Sequence, residues 1–462
     1  MIEAVLSVAL ILYLALQLED KFSVPSPLSL ISLSFLLYKS FPEFTQFTPD
    51  AEKFASLVLM LLPILLISDS LELKVEQLKK HGLSLFYLSV ITVALSVISA
   101  IFLGNYLFGD YHLSLAATVL LFAMVLPTDP VSVVSVFSQF ELPHRLKILA
   151  EGESLFNDAS ALIIFVFIGL YALGGGQITV AYVTEISLLV ILGSIAQGML
   201  FGYIGLGLLK TTDNRIAEMM VLILTGYGAF IFAEHFYKFL NLLGAHTHLH
   251  LSGILSCIIA TVTVSHWMRK AVKYEEHRID VEHKALIDET ADGTPSRRLV
   301  DSALNTIKVT VEERTRHLRT REDIQLLGVV ANTILFVAMA EIVNLDHLTE
   351  YRHEILAMFL ATTLIRALMM AKFAFLANRT NKMTSVNFRW WGVLTFAGIK
   401  GGLSIVMLSM IPDDFPYLDM FKAVVIGVIL LSTFLYSIIL LAIISRNTEI
   451  FRAELAAEAD EN

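Results

Sequence analysis

The sequence predicts an all-α membrane protein of about 13 transmembrane helices, arranged as two inverted six-helix repeats with broken helices near residues 123–130 and 397–402. Three observations predict it: a lipid-compatible composition, apolar runs of bilayer-crossing length, and proline or glycine breaks inside two of those runs. The chain has 462 residues, 56% hydrophobic and only 16% charged, with a mean hydropathy of +0.71. Soluble domains average about a quarter charged and slightly under half apolar. A chain this apolar cannot clothe its own surface in polar groups, so its solvent is largely lipid.

The apolar runs of spanning length fall near residues 2–18, 25–39, 54–71, 83–108, 113–130, 146–171, 180–208, 216–236, 249–266, 324–344, 353–376, 389–411 and 419–445. The first follows Met-Ile-Glu, with no leading basic residues and no small-residue cleavage site, so it reads as a retained span rather than a secretory signal. The second and fifth runs are short or interrupted by proline. The chain therefore divides into spans 1–9 over 1–266 (first repeat about 2–171), a charged cytoplasmic loop at 267–323, spans 10–13 over 324–445, and a short acidic tail at 446–462.

Charge between the spans sets the orientation. With the N-terminus outside, the cytoplasmic connections hold Lys21, Lys74, Lys79, Lys80, Arg145, Lys147, Lys210, Arg215, Arg379, Lys382, Arg389, Arg446 and Arg452. The opposite side holds Lys39, Lys53, Lys238 and Arg352. Basic residues concentrate on the cytoplasmic side, so the N-terminus lies outside, the C-terminus inside, and the number of spans is odd. The 267–323 segment mixes both signs, as in Glu312-Glu313-Arg314-Thr315-Arg316, and is expected to form cytoplasmic helices acting as a solvated connector, with a regulatory or partner role as the rarer reading. The tail is too small for a folded domain. The net charge of −10 sits mostly in loops and tail, with no basic block, so nucleic acid is not an expected partner. Cys257, the single cysteine, excludes an internal disulfide and reads as a small core residue.

Ionisable residues within spans carry the functional signal, since each costs roughly 2.5 kcal/mol or more at the bilayer centre. The fifth span ends in Leu126-Pro127-Thr128-Asp129-Pro130. Each proline lacks an amide hydrogen, which strips the carbonyls of Ala123 and Leu126 of their helical partners. Free carbonyls at membrane depth are tolerated only where they line a cavity or pack on protein. With Asp129 and the Thr128 hydroxyl they make an oxygen-rich spot suited to a hard monovalent cation. The ordinary alternative is a kinked helix whose aspartate serves as a cap.

The sixth span opens with Glu151-Gly152-Glu153-Ser154-Leu155-Phe156-Asn157-Asp158. At about 100° per residue, Glu151, Ser154 and Asp158 share one helical stripe, and Glu153 and Asn157 another. Asp158 and Ser154 can then address one ligand while Glu153 and Asn157 brace a neighbouring helix. The alternative is a polar helix entrance with solvated acids, which suits Glu151 better than the deeper Asp158. The twelfth span carries Phe396-Ala397-Gly398-Ile399-Lys400-Gly401-Gly402-Leu403-Ser404, whose three glycines weaken the helix and admit close backbone approach. Lys400, if buried, needs a carboxylate partner, and Glu153 is the first candidate. Arg366, in the middle of the eleventh span, is a second intramembrane cation that can pair there. The two broken spans are seven crossings apart, and an odd offset means opposite orientation. Interrupted helices at corresponding positions of two repeats point to a transporter's binding site.

Taken in order, Thr128-Asp129-Pro130-Val131, the Glu151–Asp158 stretch, His250-Leu251-Ser252-Gly253-Ile254-Leu255 and the Phe396–Ser404 stretch resemble the monovalent cation:proton antiporters of the NhaP/NHE, or sodium/hydrogen exchanger, type. The resemblance runs from the first span to the thirteenth, excluding 267–323. It implies a thirteen-helix homodimer in the cell membrane, with a gripping dimer domain and a mobile core, acting as a secondary antiporter rather than an enzyme. Asp158 would carry the cation or the proton, with Ser154 and the Thr128 carbonyl as further ligands and Asp129 and Asn157 in support. Asn157 preceding Asp158 accompanies electroneutral one-for-one exchange in this family. No cofactor is implied beyond the transported ions, Na+ (or K+ or Li+) and H+.

Two departures bear on ion choice. Where the family often has L-P-P-x-x-F-E in the third span, this chain has Leu62-Pro63-Ile64-Leu65-Leu66-Ile67-Ser68-Asp69. Either Asp69 substitutes from a rotated helix beside Ser68, or the site has one carboxylate fewer; a K+-preferring antiporter is the corresponding alternative. Lys400 stands where the family usually has arginine, and lysine lacks the planar fork for bidentate pairing. Among other classes, an intramembrane aspartyl protease fails because neither Asp129 nor Asp158 has its Y-D or G-x-G-D context. A gated cation channel also uses carbonyl-lined breaks, but an inverted repeat favours alternating access. His246, His248 and His250 alternate as a strand would and read as a polar outer loop, with metal binding or pH tuning as the rarer reading. Gly174-Gly175-Gly176 lacks the lysine and strand of a phosphate loop and reads as a turn.

Overall fold

The computed structural model describes residues 2–22, 24–41, 51–242, 244, 250–292, 297–343 and 345–461. Among these all regular secondary structure is helical, with no strand. In order the helices are α1 (Ile2–Phe22), α2 (Ser26–Ser40), α3 (Ala51–Ser70), α4 (75–107), α5 (Leu115–Val125), α6 (Pro130–Ser138), α7 (His144–Leu173), α8 (Val180–Leu209), α9 (Arg215–Glu234) and α10 (Phe236–Leu242). They continue as α11 (Gly253–Asp292), α12 (Arg297–Ile342), α13 (Leu345–Glu350), α14 (Arg352–Ala377), α15 (Phe388–Phe396), α16 (Leu403–Ser409), α17 (Leu418–Arg446) and α18 (Thr448–Glu461). Single π-helical turns interrupt α4 at Tyr87–Ile91 and α7 at Phe165–Leu170.

Eight stretches of the described chain are long and apolar enough to cross a membrane, and Ser56–Ser70 is a shorter apolar helix. The remaining expected spans also coincide with helix: α1, α2, the first part of α11, and α15 with α16. The described residues of 267–323 are helical. Helices α11 and α12 run through them on either side of 293–296, as the mixed charge pattern predicts.

The chain forms two compact units. The first comprises 1–62, 76–191 and 330–462, the second 63–75 and 192–329. In the second unit α8 lies directly on α11: a Cβ at Gly198 would stand 2.7 Å from the Ser256 carbonyl oxygen, and one at Gly202 2.7 Å from Thr263 Cβ. Such small residues let helix backbones approach where lipid offers no hydrophobic drive. Fully buried Glu218 of α9 accepts from Arg316 Nε at 3.0 Å, and its other oxygen lies 2.6 Å from His317 Nδ1. Part of the supposedly solvated connector is therefore a buried ion-pair element. Arg269 Nη1 donates to Leu71 O at 2.8 Å, covering a carbonyl just past the end of α3.

In the first unit, the ends of the helices gather into two groups. At one end Tyr111 OH donates to Glu354 Oε1 (2.8 Å) and Tyr417 OH donates to Tyr111 O (2.7 Å). At the other, His81 Nδ1 lies 2.7 Å from Thr384 Oγ1, and α18 folds back over the starts of α7 and α15. Glu458 accepts from the backbone amides of His144 (2.7 Å) and Arg145 (3.3 Å). Glu454 accepts from Trp390 Nε1 (2.8 Å), Arg389 Nη2 (3.0 Å) and Asn387 Nδ2 (3.0 Å), while Phe451 is fully buried. The acidic tail is a docked helix: Glu458 satisfies orphan amides at the N-terminus of α7, and Glu454 gathers three side-chain donors at the start of α15.

Candidate cation-binding site

The two predicted breaks are present, and they touch. The first broken helix stops at Val125 and restarts at Pro130; the second stops at Phe396 and restarts at Leu403. Pro130 occupies the first turn of α6, where a missing N–H costs nothing, and Asp129 caps it by accepting from Val131 N at 3.1 Å. The Asp129 amide donates to Ile399 O at 2.7 Å, a backbone bond from one break to the other. Gly401 permits this approach, since a Cβ there would meet Asp129 Cβ at 2.7 Å. Helix α5 packs on α16, so the first half of one broken helix lies beside the second half of the other.

The sixth span brings its acid to this crossing. Asp158, 7% exposed, accepts from the Thr128 amide at 3.1 Å. Ser154 Oγ donates to Thr128 O at 3.0 Å and lies 2.8 Å from Thr128 Oγ1. The stripe arithmetic for Ser154 and Asp158 therefore matches the geometry: a carboxylate, two hydroxyls and a main-chain carbonyl converge, all buried. Such a hard, all-oxygen donor set suits a small alkali cation or a proton. Asp129 sits beside it, but its carboxylate turns into α6, where Ser132 Oγ also donates to it. The cap reading of Asp129 and the buried-acid reading are both true of the same residue. Glu151 is half-buried at the entrance of the helix.

The ion pairing differs from the first expectation. Glu153 takes Arg366, not Lys400, in a two-pronged pair: Nη1 to Oε1 at 3.0 Å and Nη2 to Oε2 at 2.8 Å. A guanidinium fork matches a carboxylate edge in a way an ammonium does not. The rest of Arg366 is satisfied by the carbonyls of Leu394 and Thr395 at the end of α15, and Gly398 leaves room for it. Arg366 is thus a buried structural cation, not one reaching for an interface. Lys400 Nζ instead donates to Leu126 O at 3.2 Å, the carbonyl that Pro130 freed. Asn157 Nδ2 donates to the same oxygen at 3.1 Å and to Glu153 Oε1 at 3.4 Å. Asn157 and Glu153 brace the neighbouring helices as their shared stripe predicts. The freed Leu126 carbonyl therefore faces Asn157 and Lys400 rather than standing open for a cation, while Ala123 O accepts from Leu126 N at 3.4 Å.

Electrostatics at the crossing is locally matched. The carbonyl end of α5 carries partial negative charge and receives the Lys400 ammonium. The amide end of α6 carries partial positive charge and receives the Asp129 carboxylate. Ser68 and Asp69 belong to the second unit, where a Cβ on Gly328 would meet Ser68. His246 and His248 lie outside the described residues; His250 Nδ1 is 2.6 Å from Glu234 O, and no cluster of three metal-ligating side chains occurs among the described residues. The sequence reading missed the claim on Leu126 O, and it missed the tail. The spacing of Phe451, Glu454 and Glu458 on one helical face was the available signal for the latter.

Comparison with known proteins agrees with this arrangement. Residues 5–282, more than half of the chain, match the sodium/hydrogen exchanger transmembrane family. The chain is 25% identical over 355 residues to the Na(+)/H(+) antiporter ApNhaP of Aphanothece halophytica, covering 76% of this chain and 57% of that protein. It is 24% identical over 409 residues to the Na(+)/H(+) antiporter NhaG of Bacillus atrophaeus, covering 85% of this chain and 64% of the relative. The matches thus span less than two thirds of these relatives' own lengths. In fold it is similar to the sodium proton antiporter MjNhaP1 of Methanocaldococcus jannaschii, with a TM-score of 0.66 at 18% identity over 94% of this chain and 98% of that one. A multi-pass helical membrane protein whose two broken helices cross beside a buried aspartate, the chain belongs to the sodium/hydrogen exchanger family.

Proposed function

We propose that this chain exchanges a monovalent cation, Na+ (or K+ or Li+), for H+ across the membrane, one for one, with Asp158 as the shared carrier. The observation that carries the proposal is the Asp158 carboxylate, buried against the Thr128 break with Ser154 beside it. Three acids, Asp129, Glu153 and Asp158, face two cations, Arg366 and Lys400, within this crossing. With all five ionised the cluster carries one negative charge in excess. Uncompensated charge away from water is strongly disfavoured. One alkali cation or one proton removes the excess, so only the loaded site can change sides. Competition for a single acid then couples the two flows by alternating access.

Within this reading Thr128 and Ser154 hand over oxygen ligands while Glu153, Arg366, Asn157 and Lys400 hold the break open around them. The names of the relatives support sodium as the cation. Ser68 in place of the family's glutamate favours testing potassium alongside it. The charge bias supports an N-terminus outside and a C-terminus in the cytoplasm, and the family resemblance supports a homodimer in the plasma membrane.

Reconstitution into liposomes with an internal pH dye tests the proposal. A sodium or potassium gradient is expected to drive pH change in the wild type, insensitive to an imposed voltage, and Asp158→Asn is expected to abolish it while remaining folded. Wild-type exchange by Asp158→Asn would show that the carrier lies elsewhere. Cation flux that needs no opposing proton gradient would favour a channel.

A further inference from the structure

Beside Asn157 and Leu126 lies a cavity of about 30 Å³ whose lining also includes Thr92, Ser96, Glu153, Arg366 and Lys400. Two of the lining residues each hold a buried atom with no hydrogen-bond partner among the described residues: Thr92 Oγ1 and Asn157 Oδ1. The residues are 6% and 2% exposed. Asn157 cannot turn its amide to relieve this, because its nitrogen already serves Leu126 O and Glu153 Oε1. Lys400 brings three N–H donors and directs one to Leu126 O. An acceptor, a hydroxyl and an ammonium with donors to spare therefore border one small volume at membrane depth.

The chemistry of an occupant follows from these groups. It must donate to Asn157 Oδ1, accept from Lys400 Nζ, and pair with Thr92 Oγ1, so it needs both donor and acceptor capacity. Arg366 and Lys400 exclude a free cation, and the Glu153 carboxylate with the Asn157 oxygen excludes an anion. The volume exceeds the roughly 10–15 Å³ that admits one water, and a buried water needs roughly two to four polar partners. We propose that this cavity is a water-binding site, separate from the Asp158 site, in which Thr92 holds the water that completes the shell of Lys400. Thr92 is then a positioning residue: through the water it keeps the Lys400 ammonium against Leu126 O and so keeps the break at Thr128 in register. The consequence for exchange rests on the antiporter reading; the water itself does not.

Hydroxyl-radical footprinting by a synchrotron pulse, read by mass spectrometry on the full chain in lipid nanodiscs, tests the site. Phe122 also lines the cavity and is 1% exposed, so bulk solvent does not reach it. In the wild type Phe122 is expected to label within the pulse, in Thr92→Val to lose about fivefold or more of that label, and in Thr92→Ser to keep it. Exchange by Thr92→Val is expected to slow by about tenfold at unchanged cation KM, and Thr92→Ser to restore it. Gel filtration identifies a variant that has merely misfolded, and Thr92→Ala then replaces it. An unlabelled wild-type Phe122, or equal labelling in wild type and Thr92→Val, overturns the proposal. Labelling is read whether or not ions move, so a chain that labels but does not exchange overturns only the antiporter reading.

Discussion

Gly401 is where the geometry makes its sharpest demand on a single atom. Adding a methyl group there, Gly401→Ala, would place a carbon 2.7 Å from Asp129 Cβ and 3.3 Å from Asp129 Cα. Carbon atoms settle at about 3.5–4.0 Å, so the two breaks must separate by roughly an ångström. Overpacking of this kind costs about 1–3 kcal/mol. The separation also stretches the Asp129 N–Ile399 O bond, now 2.7 Å, and a lost buried hydrogen bond costs about 1 kcal/mol more. The sum, about 2–4 kcal/mol, corresponds to roughly 30- to 1,000-fold if all of it falls on site alignment. Relaxation will absorb part of this, so exchange in liposomes is expected to slow by at least about tenfold. Gly402→Ala is the matched control. Its new carbon would lie 3.4 Å from Leu335 Cδ1, and its backbone is helical with φ −62°. That variant should exchange within about twofold of wild type and gain a few tenths of a kcal/mol from lost backbone entropy. Normal exchange by Gly401→Ala, or equal loss in both variants, would refute the idea that backbone contact between the breaks sets the site.

Further outcomes follow from other parts of the first unit. Glu153→Gln alone strands the Arg366 guanidinium and should cost about 3–5 kcal/mol, seen as poor folded yield, whereas Glu153→Gln with Arg366→Gln should recover part of it; a double variant worse than either single one contradicts the pairing. Glu458→Gln weakens the cap on α7 by about 0.5–2 kcal/mol and should lower the melting point, and an unchanged melting point would mean the tail contact is idle. Tyr111→Phe removes the bond to Glu354 at a cost of about 1 kcal/mol. Desolvation, then the Glu354 carboxylate, pushes the Tyr111 phenol up to about 12, so its contribution is complete below the unfolded value of about 10 and fades as pH rises through about 12. The melting-point gap between Tyr111→Phe and wild type should therefore be equal at about pH 6 and about pH 9, and a gap that closes by the higher pH refutes it.

Much of the site was legible because membrane residues are punished individually. Arg366 and Lys400 each stand alone in apolar sequence, and Glu153 and Asp158 run straight into an apolar stretch; a charge so placed announces a partner. Pro127 and Pro130 likewise fixed one break, and Gly398, Gly401 and Gly402 the other, through backbone chemistry that needs no tertiary context. What stayed hidden was the choice among partners. Both Lys400 and Arg366 can neutralise Glu153 on charge grounds, and only the placement of Leu126 O beside Lys400 decides between them. The cavity beside Asn157 has no sequence trace, since Thr92 is one hydroxyl among many in an apolar helix. The tail misled for another reason: its acids look solvated until the N-termini they cover are in view.

The clasp of Glu458 on His144 and Arg145 has a mechanical side. From His144 to Asp158 the chain is one uninterrupted helix with no proline, and Asp158 lies 14 residues beyond His144. At 1.5 Å per residue this is a rod of about 21 Å. A rod transmits axial push and roll with little loss, so a pull on the C-terminal helix is felt as displacement of the buried acid, without any relay of intermediate side chains.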